Sequence, residues 1–377
     1  MIVGCITILL FLMSIFSKKN KALYIVLFIW MWFLMAFTTG IADEQEVYMS
    51  RYASPELWAG NSEILYNAII LLFRKAGCTF YQYKAIITFF QLLLIFTTVW
   101  KLSKYPNIVC CLYMIYPFPL NIAQMRHALA TAIFVFAIRY LFVDDKVLIK
   151  INKFKLLRSD FKYICLILIA ACIHSASLIW LVLLVAKKFD LKTNIVFTAF
   201  FNFLIVFLLS PQNIMKILEV FGAGSRMEAY FSAEYQSSSW RHYGGALLNV
   251  TFTAALLIFL CFYILNKKSG YVNKSQVMLA MKANISILCI YGLIIKYTGE
   301  VYRLQESMTI MNLIILFNAL KSDLFSASRV SQSYALVFAG VFLFILGAAY
   351  ISIGMYLIPT ILKPILQNNI LINYIFY

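Results

Sequence analysis

The sequence predicts an all-α polytopic integral membrane protein, and three observations predict it. Hydrophobic residues make up 63% of the 377 positions and charged residues only 12%, more apolar surface than a water-soluble domain can hide. Apolar runs close to the roughly 20 residues that cross a hydrocarbon core recur from end to end. Acids and lysines fall into alternate segments between those runs, as in a chain threaded with a fixed orientation. The formal charge of +17 comes in short clusters rather than on one long face, so the basic residues read as topology signals and not as a nucleic-acid surface.

The first run, Ile2–Phe16, is followed by Lys18, Lys19 and Lys21 and has no small-x-small cleavage site, so it reads as a retained span. Further spans are Ala22–Ala42, Phe80–Trp100, Ile122–Val143, Asn194–Ser210, Gly245–Asn266, Ala283–Thr298, Met308–Leu320 and Tyr334–Ile358. Four stretches are less regular. Ile64–Ala76 and Ile108–Leu120 are short for a crossing, Tyr163–Ala186 has basic clusters at both ends, and Ile361–Tyr377 is a last apolar tail. With re-entrant segments counted, this makes about 10–12 membrane helices in a single domain. No soluble stretch exceeds about 35 residues, which leaves room for no second domain.

Placing Lys18, Lys19 and Lys21 inside puts residues 43–63 outside, where Asp43, Glu44, Glu46, Glu56 and Glu63 face a single cation, Arg51. The loop with Lys146, Lys150, Lys153, Lys155, Arg158 and Lys162 stays inside if Ile108–Val143 enters and returns. Keeping Lys187, Lys188 and Lys192 inside as well requires Tyr163–Ala186 to enter and return, broken near His174 and Ser175. The alternative is a single crossing that strands one basic cluster outside and inverts everything downstream, including Lys267, Lys268, Lys274 and Lys282; the re-entrant reading is preferred. The second outer loop is then 211–243, with Glu219, Glu228, Glu234, Arg226 and Arg241. The eight cysteines show no zinc-like CxxC spacing and read as free thiols. No nucleotide fingerprint and no metal-ligand cluster occurs, so neither a cofactor nor a metal is expected.

A charged side chain at membrane depth costs at least roughly 2.5–3.5 kcal/mol and therefore needs a partner or a task. Arg126 lies between Gln124 and His127, just after the proline-broken stretch Tyr116-Pro117-Phe118-Pro119. It reads either as an interfacial arginine reaching lipid headgroups or as a phosphate anchor, because its planar fork matches phosphate oxygens. His174 sits in a patch of small and polar residues, 170–177, within an apolar run, and reads as a core histidine or as a proton-transfer group. Arg303 belongs to a mixed-charge stretch with Lys296, Glu300 and Glu306, for which local ion pairing is the plain alternative. Glu44, Tyr48 and Tyr52 recur every four residues on one helical face, with Glu63 and Tyr66 downstream. Carboxylates interleaved with aromatics suit a carbohydrate, whose CH faces stack on rings while its hydroxyls donate to acids; an interfacial amphipathic helix has a similar pattern.

On these residues the chain resembles the EpsG family of Wzy-like bacterial exopolysaccharide polymerases. The likeness is carried by Glu44–Tyr48–Tyr52, Glu63–Tyr66 with Gly77, Tyr116-Pro117-Phe118 followed by Gln124-x-Arg126, His174-Ser175-Ala176 and Tyr302-Arg303. It implies a GT-C-like fold, a multi-pass place in the bacterial cytoplasmic membrane, and polymerisation of polyprenyl-diphosphate-linked oligosaccharide repeat units on its outer face. It also implies membrane lipid as surroundings and a chain-length regulator protein as a candidate partner. In such enzymes an outer-loop acid serves catalysis, matching Asp43 or Glu44; the family usually has aspartate where this chain has Glu44. Expected catalytic residues are thus Asp43, Glu44 and His174. Expected substrate-binding residues are Gln124, Arg126, His127, Arg241, Arg303, Tyr48, Tyr52 and Glu63. The alternative from another class is a flippase that moves lipid-linked oligosaccharides without bond chemistry. A membrane acyltransferase using His174 lacks an acyl-donor motif.

Overall fold

A computed structural model gives the fold and describes residues 2–41, 44–58, 63–143, 145–151, 154–208, 210, 213, 240–267, 271–296, 299–321 and 332–371. Asp43, Asp144 and most of the second expected outer loop, including Glu219, Arg226, Glu228 and Glu234, lie outside these. The described residues are mostly helical, with one small antiparallel hairpin among them, Val147–Ile151 with Phe154–Leu157, inside the basic loop. Among the described residues, five helices are long and apolar enough to cross a membrane: Phe80–Leu102, Leu191–Leu208, Tyr243–Asn266, Lys274–Lys296 and Tyr334–Ser352. The remaining apolar sequence is cut into shorter pieces.

The first eleven helices are α1 (Ile2–Ile15), α2 (Lys21–Phe37), α3 (Glu44–Ala53), α4 (Ile64–Lys75), α5 (Phe80–Leu102), α6 (Pro106–Ile115), α7 (Phe118–Ala123), α8 (Met125–Leu141), α9 (Arg158–Ile173), α10 (Val182–Lys188) and α11 (Leu191–Phe203). Prolines do the cutting between α6 and α8, since a proline donates no backbone hydrogen bond and crowds the preceding turn. α6 stops one residue before Tyr116-Pro117, and a second break falls at Gln124. α4 is closed off, just past its C-cap Ala76, by Gly77, whose φ of +74° places the glycine in the left-handed region. The Cys78 N–H then reaches back to Phe73 O and the Gly77 N–H to Arg74 O, a Schellman closure that glycine permits.

The expected excursion of Tyr163–Ala186 is present and longer than the apolar run suggests, because α9 starts at Arg158. The chain returns to the level it left: Lys187 Nζ lies 3.0 Å and Lys188 Nζ 2.5 Å from the Asp160 carboxylate. Halfway along, the Tyr163 hydroxyl donates to Trp180 O at 2.8 Å. The break falls where the small and polar residues put it, with α9 ending at Ile173, His174 extended, and a 3₁₀ helix over Ser175–Leu181.

One expected span is different in kind. Met308–Leu320 is a helix over Thr309–Ala319, eleven residues and so about 16 Å long, too short to cross alone. Every one of its residues is buried, so its apolar character serves the middle of the bundle rather than lipid. Reciprocal amide hydrogen bonds between Asn284 and Asn312, 2.8 and 3.1 Å, tie it to the helix Lys274–Ser286. The last described segment folds back: Thr39 N donates to Asn368 O at 2.8 Å, beside the end of α2.

Candidate active site

The acidic loop ends at Glu63, the N-cap of α4, where its side chain caps nothing. Its carboxylate instead gathers two guanidiniums and an imidazole from three other elements. Oε2 accepts from Arg51 Nη1 of α3 at 2.8 Å and from Arg126 Nη1 of α8 at 2.6 Å, while Oε1 lies 3.3 Å from Nδ1 of His174 at the tip of α9. One turn along α4, Asn67 Oδ1 accepts from Arg51 Nε at 3.0 Å. The guanidinium of Arg51 lies over the Tyr66 ring at 4.8 Å and that of Arg126 over the Tyr48 ring at 5.5 Å, geometries in which the ring face attracts the cation.

Exposure divides the cluster. The side chains of Arg51 and Glu63 are each 1% exposed, whereas Arg126 is 17% and His174 25% exposed. A substrate can therefore reach Arg126 and His174 but not the acid that orients them. Among the described residues, two guanidiniums share this one carboxylate. Arg126 is the member of the pair that can present its charge to a ligand.

A second constellation adjoins the first. The rings of His127 and His174 meet edge to face at 5.4 Å. His127 is buried, with Nε2 3.1 Å from Ser307 Oγ, and Ser307 in turn donates to Arg303 O at 3.0 Å. This chain of contacts brings the turn Tyr302–Glu306 up to the histidines. Arg303 itself pairs with Glu300 one turn earlier, the local ion pair that its sequence context allowed. Among the described residues, no group of three or more His, Cys, Asp or Glu side chains lies close enough to hold a metal ion.

The structure thus brings together Glu63, Arg126, His127, His174 and Tyr48, with Arg303 linked through Ser307. Tyr52 takes a different place: its ring stacks on Tyr83 at 5.1 Å and its hydroxyl donates to Cys78 O, so it is spent on the protein's own packing. Gln124 is buried at the α7–α8 break, and its Oε1 has no hydrogen-bond partner among the described residues. Asp43 lies outside the described residues; of Glu44 and Arg241 only the backbone is described, at the starts of α3 and of the helix Trp240–Asn266. Sequence reasoning missed Arg51, Asn67 and Ser307. Arg51 was legible only as the lone cation of an acidic loop; that it is buried between Glu63 and Tyr66 depends on how α3 packs on α4.

No curated protein and no solved structure matches the chain. The EpsG family matches residues 21–362, from the start of α2 past the last long helix. That match takes in every element contributing to the cluster, and the chain accordingly belongs to the EpsG family, a family of polysaccharide polymerases.

Proposed function

We propose that the protein joins polyprenyl-diphosphate-linked oligosaccharide repeat units by glycosyl transfer on the outer face of the cytoplasmic membrane, with the Glu63 cluster as its catalytic centre. The observation that carries this reading is the buried Glu63 holding a partly exposed arginine and a partly exposed histidine side by side. A terminal hydroxyl of one lipid-linked unit attacks the anomeric carbon of another. The new C–O bond forms as the bond to the diphosphate breaks, and the bonding electrons leave with the diphosphate. Arg126 meets the charge that develops there, with Arg303 as the second cation; a fixed donor of this kind stabilises a transition state without reorganising. His174, oriented by Glu63 at Nδ1, takes the proton of the attacking hydroxyl. Tyr48, beside Arg126, is the aromatic of the expected carbohydrate face that borders this centre.

The test is a purified preparation in detergent given lipid-linked repeat units, with no nucleotide sugar. A polymerase extends them into a ladder, because the bond energy resides in the diphosphate linkage. Recovery of unchanged monomeric units, together with transport of the same units across liposomes, would replace this reading by the flippase.

A further inference from the structure

At the other end of α8, thirteen residues and so about 20 Å from Arg126, lies a cavity of about 300 Å³ lined by Lys101, Arg139, Tyr140, Asp145, Ser159 and Lys162. Three cations and one acid face it, and the acids nearby are engaged elsewhere. Asp145 Oδ1 accepts from the Lys146 N–H at 2.7 Å, and Asp160 is held by Lys187 and Lys188. Arg139 is oriented by uncharged groups, donating from Nε to Thr98 Oγ1 at 2.9 Å and from Nη2 to Thr97 Oγ1 at 3.0 Å. The Lys162 ammonium stands over the Tyr140 ring at 5.4 Å. Among the described residues, no carboxylate pairs with Lys101, Arg139 or Lys162, so the cavity keeps a positive surplus.

The approach to the cavity is apolar. Ile86, Phe90, Leu93, Thr97 and Lys101 are exposed along one stripe of α5, spaced three and four residues apart, so that a greasy track ends in the basic pocket. Inorganic anions have no use for such a track; a lipid with an acyl chain and a charged headgroup fits both parts.

We propose that this cavity is a binding site for an anionic phospholipid, its headgroup held by Lys101, Arg139 and Lys162 and its acyl chain laid along the exposed stripe of α5. The site is remote from the Glu63 cluster and does not depend on the reaction assigned there. Each basic residue near a membrane surface contributes about a fivefold gain in affinity for anionic lipid.

The probe is phosphatidylglycerol titrated into the full-length protein in neutral detergent, with bound lipid read by native mass spectrometry and thermal midpoint. Phosphatidylcholine and inorganic phosphate serve as the other arms. The expected result is one retained phosphatidylglycerol and a raised midpoint, with neither from the other two. The doubly substituted Lys101→Gln/Lys162→Gln variant, whose changes fall on exposed side chains, should bind roughly 25-fold more weakly. Lys101→Arg/Lys162→Arg should bind as the wild type does. Equal phosphatidylglycerol affinity in the Gln variant and wild type overturns the proposal, as does equal binding of phosphatidylcholine; an equal effect of inorganic phosphate overturns the choice of a lipid. If the Gln pair does not purify as a monodisperse species, each single Gln variant decides on the same criterion, with about fivefold expected.

Discussion

Replacing Glu63 by glutamine tests the cluster at its centre. The change keeps shape and removes charge, so Arg51 and Arg126 lose their shared counter-ion. They do not suffer equally. Arg126 is 17% exposed and can turn towards water, but Arg51 at 1% exposure cannot. Removing one partner of a buried ion pair costs roughly 3–5 kcal/mol. Asn67 keeps its hydrogen bond from Arg51 Nε, which places the expected loss near the lower end, about 3 kcal/mol. The comparison is built into the same loop: Glu56 faces Arg74 at 3.5 Å, with the two side chains 68% and 37% exposed. Glu56→Gln should therefore cost less than about 0.5 kcal/mol. Unfolding of both variants in detergent micelles, followed by tryptophan fluorescence, reads the difference. A Glu63→Gln variant no less stable than Glu56→Gln would refute the argument that the cluster is a buried, mutually dependent unit.

Three further outcomes follow from the geometry. Arg126→Ala should lower ladder formation by about 100- to 1000-fold at normal expression, the effect of removing one preorganised donor, and Arg126→Lys should recover little of it because a point charge lacks the fork; full activity of the alanine variant removes Arg126 from the mechanism. His174→Ala should reduce turnover with substrate binding nearly intact, so a change confined to KM argues against a proton-transfer role. Asp160→Asn should destabilise the protein by about 1–3 kcal/mol by taking a charge from Lys187 and Lys188. Burial raises the Asp160 pKa, but the hydrogen bonds from Lys188, Lys187 and the Leu157 N–H outweigh it and hold the carboxyl below its ordinary range. A depressed folded pKa means this contribution is complete above the unfolded value of about 4 and fades as pH falls through the folded one. Acid unfolding should therefore separate wild type from Asp160→Asn at neutral pH and bring them together in strong acid, and parallel curves at all pH values would contradict the assignment.

The sequence made legible whatever was written in local composition. The small and polar run 170–177 announced the break at His174, and the lysines at both ends of Tyr163–Ala186 announced the return that Asp160 now anchors. Arg126 stood out because an arginine after a broken helix is costly at membrane depth. What stayed hidden is what depends on partners far along the chain. Glu63 meets Arg126 across 63 positions and His174 across 111, and no local pattern joins them. Hydropathy also could not tell Thr309–Ala319 from a lipid-facing helix, since an apolar residue reads the same whether it meets acyl chains or other side chains.

The hairpin that carries His174 works as a gauge. Its outward leg is α-helical and its return leg is part 3₁₀, and the two ends are pinned together by the Asp160 carboxylate. Rewinding the seven residues Ser175–Leu181 as α-helix would shorten that leg by about 3.5 Å. The imidazole would then be drawn away from Glu63 by more than a hydrogen bond can stretch. The position of the His174 ring is thus set by a clamp at the far end of two rods, and a substitution at that clamp can move the imidazole without touching a single residue beside it.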